Sequence, residues 1–553
     1  MVNEQLSHAT IAALRQRHFD WAERHLLPFY FGCRLKVLVV ADNFLYFDDS
    51  NFGLSEFVAT LRGMSSWRYP VTVDLAHRHN PSAARLAGAT PNFTFTDASL
   101  NGYDQLWIFA AEYPSRDGAR PAITDPERRA IRKFMDEGGG VFATGDHEDL
   151  GVTVGGYIPR VRSMRRWFFP STGPQGEPVA PHGSNSSRHD TDREGHDAGW
   201  SFNDQSDDVP QVVTPHYLGG GLIRSVHPVL CTRDGPIDVL PDHAHEGQCE
   251  VPGNLGGNYS IGSDSFREYP DGPDGNPLRP QLVATATMIP GAAAPEFGKP
   301  PVPGGSFGVI AAWDGHRAGD YGRVVVDATW HHFININLIG DRGLGIPDPA
   351  VPKTMGFLHT LAGQGHLDRI KQYYRNIADW MTPKARRRCL FLRHIWAATN
   401  NGWFLENYRR DDLVLTGRLI LNSVYWLRPC DRIHIVFEIA QERLRPFSDL
   451  VDPPPERLKE IAAFAENGER ENMKEIAEMV PAALVGAIAL QIIDAGFDVD
   501  RLRKEFGDEE AQIPVLEKAA DAGIEQAAAY LKKRMSTKVD LTKAVTRLKP
   551  QPA

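Results

Sequence analysis

Residues Ile131–Gly151, IRKFMDEGGGVFATGDHEDLG, decide how the chain reads. They run from the end of a helix through a glycine turn (Gly138, Gly139, Gly140) into a short apolar strand, Val141–Thr144. An abrupt polar turn follows, Gly145-Asp146-His147-Glu148-Asp149. A buried strand that ends in glycine and then in titratable side chains delivers those groups to its C-terminal edge. Open α/β sheets bind ligands in the crevice at that edge.

Upstream, Thr124-Asp125-Pro126-Glu127 is a helix start: a capping residue, Pro near the first helical position and acidic charge in the first turn. Tyr103–Ala111 reads as a strand closing on Glu112. Leu35–Ala41, LKVLVVA, is a continuous apolar run suited to the first central strand of a parallel sheet, and it ends in Asp42-Asn43. Between them Leu54–Leu61 reads as a helix and Val71–Leu75 as a strand, and residues 5–28 have helical spacing. Downstream, Ile158–Phe169 carries Arg160, Arg162, Arg165 and Arg166, which read as a basic helix face or an anion site. Residues 171–210 are rich in Gly, Pro, Ser, Asp and His and read as an insertion. Gln281–Met288, Ser306–Trp313 and Arg323–Thr329 resume the strand pattern, the last closing on Asp327, Trp330, His331 and His332.

Apolar strands alternating with helices predict an α/β fold, a flavodoxin-like doubly wound and mainly parallel sheet, followed by an all-α C-terminal domain. The expected bounds are an N-terminal helix in 1–34, the α/β domain in 35–364 with its insertion near 171–210, and helices in 365–553.

The chain of 553 residues has ample length to bury more than one core. A formal net charge of -10 weighs against broad nucleic-acid binding, which needs a basic face. Five cysteines without a CxxC pair fit a reducing compartment better than a disulfide framework. The charged N-terminus does not read as a signal peptide, and the apolar run Met479–Ile493 is too short for a membrane span. A cytoplasmic protein without membrane contact is the expectation.

Polar groups cluster at four strand ends or adjacent turns: Asp42-Asn43; Asp146-His147-Glu148; Asp242-His243-Ala244-His245-Glu246; and Asp327 with Trp330, His331 and His332. A His-x-His pair on an extended segment turns both imidazoles to one side. His243, His245, Glu246, His331 and His332 therefore read either as ligands of a divalent transition metal such as zinc or as ordinary hydrogen-bonding groups. Asp146 reads as a pocket residue or as a plain helix cap. Cys249 reads as a small core residue rather than a nucleophile. No GxSxG elbow, P-loop or GxGxxG follows the first strand, so those chemistries have no support.

On LKVLVVADN, FMDEGGGVFATGDHEDLG, HPVL at His227–Leu230 and GRVVVDATWHHF, the first 340 or so residues resemble the class I glutamine amidotransferase-like fold, in its ThuA-like (trehalose utilisation) branch. In the amidotransferases the turn after the Gly-rich strand carries a nucleophilic Cys. Here that place falls at or near His147, and no Cys lies between Cys33 and Cys231, so glutaminase activity is not expected. The resemblance implies a Gly-x-His at this turn, matched by Gly145-Asp146-His147, and a histidine at the end of the last strand, matched by His331 or His332. The helical region resembles no family.

Two functions stand open at this stage. One is a hydrolase or isomerase for a small polar, carbohydrate-like substrate, with Asp146, His147 and Glu148 as catalytic groups. Asp42, Asn43, Glu112, Asp327 and Trp330 would bind the substrate, with or without a metal. The other is a non-catalytic binding or assembly module whose helical region meets a second copy or a protein partner.

Overall fold

The structure is a computed structural model that describes residues 33–66, 71–112, 122–146, 150–166, 171–172, 178–179, 211–218, 225–232, 235–241, 247–272, 275–288, 305–399, 402–423, 470–496 and 513–536. The helix expected in residues 5–28 and most of the 171–210 insertion lie outside them.

Its centre is a mixed sheet built from β1 (Leu35–Ala41), β2 (Val71–His77), β3 (Gln105–Phe109), β4 (Gly140–Thr144), β5 (Arg165–Arg166), β6 (Thr214–Pro215), β7 (Gln248–Cys249), β8 (Gln281–Met288), β9 (Gly305–Trp313) and β10 (Val324–Asp327). The spatial order is β2-β1-β3-β4-β10-β9-β7-β5, with β8 also on β9 and β6 on β8. The first five in that order run parallel; β9 turns antiparallel to β10, and β8 antiparallel to β9. β1, β3 and β4 are buried almost throughout, which is why their sequences are continuous apolar runs rather than alternating ones.

The register of the parallel strands bears on function. Ala41 pairs with His77 and with Phe109, Phe109 with Thr144, and Thr144 with Asp327. All five strands therefore end in one row, and the residues just past each end share one edge of the sheet.

Helices follow the expected signals closely. α1 spans Ser55–Arg62 and α2 spans Asp125–Asp136. Thr124 and Glu127 cap α2 reciprocally, each side chain meeting the other's backbone N–H. Gly138, at φ +97°, takes the chain out of α2 toward β4 in a conformation that side chains disfavour.

α3 (Leu361–Trp380) packs on the sheet side of the molecule, its Tyr373 and Tyr374 among the rings of Phe57 and Phe333. α4 (Lys384–Thr399) passes from one core to the next: Cys389 and Leu390 pack with the sheet, Phe391 onward with α5 (Leu413–Ser423), α6 (Arg470–Asp494) and α7 (Ile513–Ser536). α6 is the centre of this second core, with Ala482–Val485 and Ala487–Ala489 fully buried. Among the described residues beyond 365 all regular structure is helical, and no helix is long and apolar enough to cross a membrane.

Two expectations are corrected. Cys33, just before β1, forms a disulfide with Cys389 of α4, so the cysteines are not all unpaired. Arg160 and Arg165 form no solvent-exposed basic face, because both are buried. Arg160 donates to Glu268 and Asp136, while Arg165 donates to backbone carbonyls.

Candidate functional site

The turn after β4 and the turn after β10 meet through Asp146 and His331. Asp146 is buried; its Oδ1 accepts from the Thr329 hydroxyl at 2.6 Å, and its Oδ2 lies 3.2 Å from His331 Nε2. Thr329 caps the short turn Trp330–His332 by accepting from the His331 N–H, so one hydroxyl positions both partners of the pair. His331 Nδ1 lies 3.0 Å from Asn337 Oδ1, and the Trp330 ring stacks on the imidazole at 4.3 Å.

Arg165 ties the two turns together from behind. Its Nη2 donates to the carbonyls of Asp146 (2.8 Å) and Ala328 (2.7 Å). Gly247 leaves the room this requires: a Cβ there would sit 2.3 Å from the same Nη2. Gly151, at φ +84°, closes the β4 turn by donating to the Glu112 carbonyl. Asp146 is thus buried and held by its partners, and it caps no described helix.

A second aspartate–histidine pair lies beneath. His332 Nδ1 is 2.8 Å from Asp327 Oδ1, which also accepts from the Thr329 N–H, and Tyr373 donates to Asp327 Oδ2 at 2.7 Å. Both Asp327 and His332 are fully buried. Burial, reinforced by Asp327, holds the Tyr373 hydroxyl well above its ordinary range, so it stays a neutral donor. Nearby Cys249 is a free, buried cysteine whose thiol faces the Val309 and Val326 carbonyls. Burial first, then Asp327, pushes that thiol up, which agrees with a core role and not with a nucleophile.

The ends of β1, β2 and β3 carry a third cluster. Asp42 Oδ1 accepts from the Ala111 N–H at 2.6 Å, and Arg78 Nη1 sits 2.9 Å from Glu112 Oε2 and 3.6 Å from Asp42 Oδ2. His79 Nδ1 accepts from the Asn43 N–H, which leaves its proton on Nε2, 2.7 Å from Glu112 Oε1. Asn43 sits at φ +50° and donates from its side chain to the Ala111 carbonyl. Burial, then Glu112, raises the Asp42 carboxyl to about 7 against the pull of Arg78. His77, stacked on Tyr46, is lowered to about 4 by burial.

The structure therefore brings Asp146, Trp330 and His331 together, and separately Asp42, Asn43 and Glu112, along one sheet edge. His147, Glu148, His243, His245 and Glu246 lie outside the described residues. His331 and His332 turn to different carboxylates, and among the described residues no group of three or more His, Cys, Asp or Glu could hold a metal ion. Sequence does not single out Thr329, Asn337, Arg78 or His79 as site residues, and it offers Arg165 only as part of a basic face or an anion site. For Arg78 and His79 a signal existed: β2 extends to His77, two residues past the expected end, so both follow a strand end like the rest.

Comparison with known proteins gives little beyond this. No family model matches the chain, and no curated protein matches it. Two solved structures are similar to it, a putative ThuA-like protein from Bacteroides uniformis and another from Parabacteroides merdae, each at 11% sequence identity. The alignments cover 63% of this chain and 91% of the first, at a TM-score of 0.26, and 62% and 90% for the second, at 0.27. Likeness at that level carries no argument about activity.

Proposed function

We propose that this chain is a hydrolase or isomerase for a small, carbohydrate-like substrate bound beyond the C-terminal ends of the parallel strands. The observation that carries the reading is the Asp146 carboxylate, buried and held between the Thr329 hydroxyl and His331 Nε2. A carboxylate facing Nε2 favours the proton there and stabilises the imidazolium. The Asn337 amide, which can present its oxygen or, turned over, its NH₂, satisfies Nδ1 whether or not it carries a proton. Both ring nitrogens are thus held, which fixes the imidazole against Asp146 in either protonation state.

His147 is the proposed general acid or base, with Glu148 beside it in sequence; Asp146 and His331 complete the proton-handling group. Asp42, Asn43, Glu112 and Trp330 are the proposed substrate contacts. Asp327 is left out, because its pair with His332 is closed over by Tyr373 of α3. No step is routed through a metal, since the described histidines do not converge.

The strand order β2-β1-β3-β4-β10 supports a flavodoxin-like, doubly wound reading of the sheet. The proposed segments keep the bounds 1–34, 35–364 and 365–553, with α3 joining the last to the α/β unit. The Cys33–Cys389 disulfide weakens the cytoplasmic placement, because such bonds persist mainly in oxidising compartments.

The test is incubation of the purified chain with a panel of disaccharides and reducing sugars, followed by proton NMR. One of them should be converted, and Asp146→Asn should slow that conversion by about 10²-fold, the scale of a lost general acid–base group. Absence of conversion across the panel would move the reading to a non-catalytic binding or assembly module.

A further inference from the structure

We propose that the cluster past the ends of β1 and β3 is a subsite for a vicinal diol of a neutral, hydroxyl-rich ligand, read by Asp42 and Arg78. The inference rests on the carbohydrate-like substrate proposed above and assigns one part of it to named atoms.

Three observations carry it. The first is unmet hydrogen bonding. Among the described residues Asp42 Oδ2, Arg78 Nε and Glu112 Oε1 are buried without a hydrogen-bond partner, and Asp42 and Arg78 are 1% and 3% exposed. Buried polar groups are paired in the great majority of cases, so such orphans on facing side chains are the kind of atoms that a bound ligand satisfies. Arg78 Nε is a donor and the two carboxylate oxygens are acceptors, and Asp42 Oδ2 is also the atom that faces Arg78 Nη1 at 3.6 Å.

The second observation is position. β1 lies between β2 and β3 in the sheet, so the chain leaves β1 toward one side and returns on the other. The strand order reverses there, and at such a reversal the loops part and open a crevice for ligand. The Asp42-Asn43 turn and the Ala111-Glu112 segment are the two walls at that place. Asn43 holds a left-handed conformation to join them through the Ala111 carbonyl.

The third is charge. Asp42 and Glu112 bring two carboxyl groups to one guanidinium, with His79 held as the Nε2–H tautomer by the Asn43 N–H. Two carboxyl groups against one guanidinium leave no spare positive charge for a phosphorylated or carboxylated ligand. Arg78 in the middle of the cluster opposes a bare metal cation. A hydroxyl group donates and accepts, so it pairs with Asp42 Oδ2 in either protonation state and with the Arg78 Nε–H as well. Adjacent hydroxyls on one carbon chain supply both contacts at once. His79, whose side chain is 30% exposed, marks the solvent side of the cluster.

Saturation-transfer NMR on the full chain tests this with D-glucitol, D-glucose and glucose 6-phosphate as probes. The two neutral compounds should bind, and the phosphate ester should bind at least about tenfold more weakly. Asp42→Asn should weaken binding of the neutral probes about tenfold, the usual cost of one hydrogen bond to a charged group. Arg78→Lys, which keeps the charge but loses Nε, should act the same way and serves if Asp42→Asn alters the near-UV circular dichroism. Asp146→Asn should leave this binding within about twofold. Wild-type affinity in both Asp42→Asn and Arg78→Lys overturns the subsite, as does tighter binding of the phosphate ester. So does calcium binding that vanishes in Asp42→Asn, or no saturation transfer from any probe. If Asp146→Asn abolishes conversion while the Asp42 and Arg78 variants convert normally, the enzyme reading stands and the subsite falls alone.

Discussion

His331 and His332 are neighbours in the chain, and each faces an aspartate, yet they belong to different worlds. The His332–Asp327 pair is fully buried and closed by Tyr373 and the Thr329 N–H. The His331–Asp146 pair joins the turns after β4 and β10, beside an indole, and His147 and Glu148 follow Asp146 in sequence. In a short 3₁₀ turn, consecutive side chains point in different directions, so one histidine is spent on holding β10 to α3 and the other is delivered to the sheet edge. Residue type alone does not separate structural from chemical histidines here. What separates them is what each pair joins: one ties β10 to Tyr373 of α3, the other ties the turn after β4 to the turn after β10.

The largest test of that contrast is Asp327→Ala. It leaves His332 Nδ1, the Tyr373 hydroxyl and the Thr329 N–H without their acceptor in a dry core. The expected loss is about 3–5 kcal/mol in urea unfolding, the range for breaking a buried network. A loss under about 1 kcal/mol, the size of an ordinary surface change, would mean that the buried pair is not what separates the two histidines.

His147→Ala probes the other side. As the proposed general acid or base, its expected effect is about 10²-fold or more on turnover with little change in the thermal midpoint. The opposite pattern, normal turnover with a large thermal loss, would make His147 a structural residue and shift the chemistry elsewhere.

The parallel strands were legible because burial on both faces writes itself as uninterrupted apolar runs, as in LKVLVVA, and because Thr124 and Glu127 spell a capping box. Strand ends were legible too, since Asp42, Glu112 and Asp146 each interrupt such a run. The contacts across the edge were not. Thr329 and Asn337 look like any loop and helix residues until register puts Thr144 beside Asp327. Arg165 looked like surface charge because its partners are backbone carbonyls, which no side-chain pattern records. The Cys33–Cys389 bond spans 356 residues, a separation at which spacing carries no information about pairing.

The smallest net effect on the intact protein concerns the third cluster, where two shifts of opposite sign meet. Asp42 is raised from 3.8 to about 7, so the folded chain holds that proton more tightly than the unfolded one. Its contribution to stability is therefore greatest below pH 3.8 and falls as pH rises toward 7. His77 is lowered from 6.5 to about 4, so its contribution is complete above pH 6.5 and is lost as pH falls toward 4. Between about pH 4 and 6.5 the two slopes oppose each other, and the intact protein should show a shallow profile there, then a decline toward pH 7. Asp42→Asn removes the falling limb and leaves that of His77, so its urea midpoint should climb over the same interval and then level off. Profiles measured across this range decide the matter: a variant curve parallel to the wild type would mean that Asp42 carries no raised proton affinity and that its buried Oδ2 is satisfied in solution.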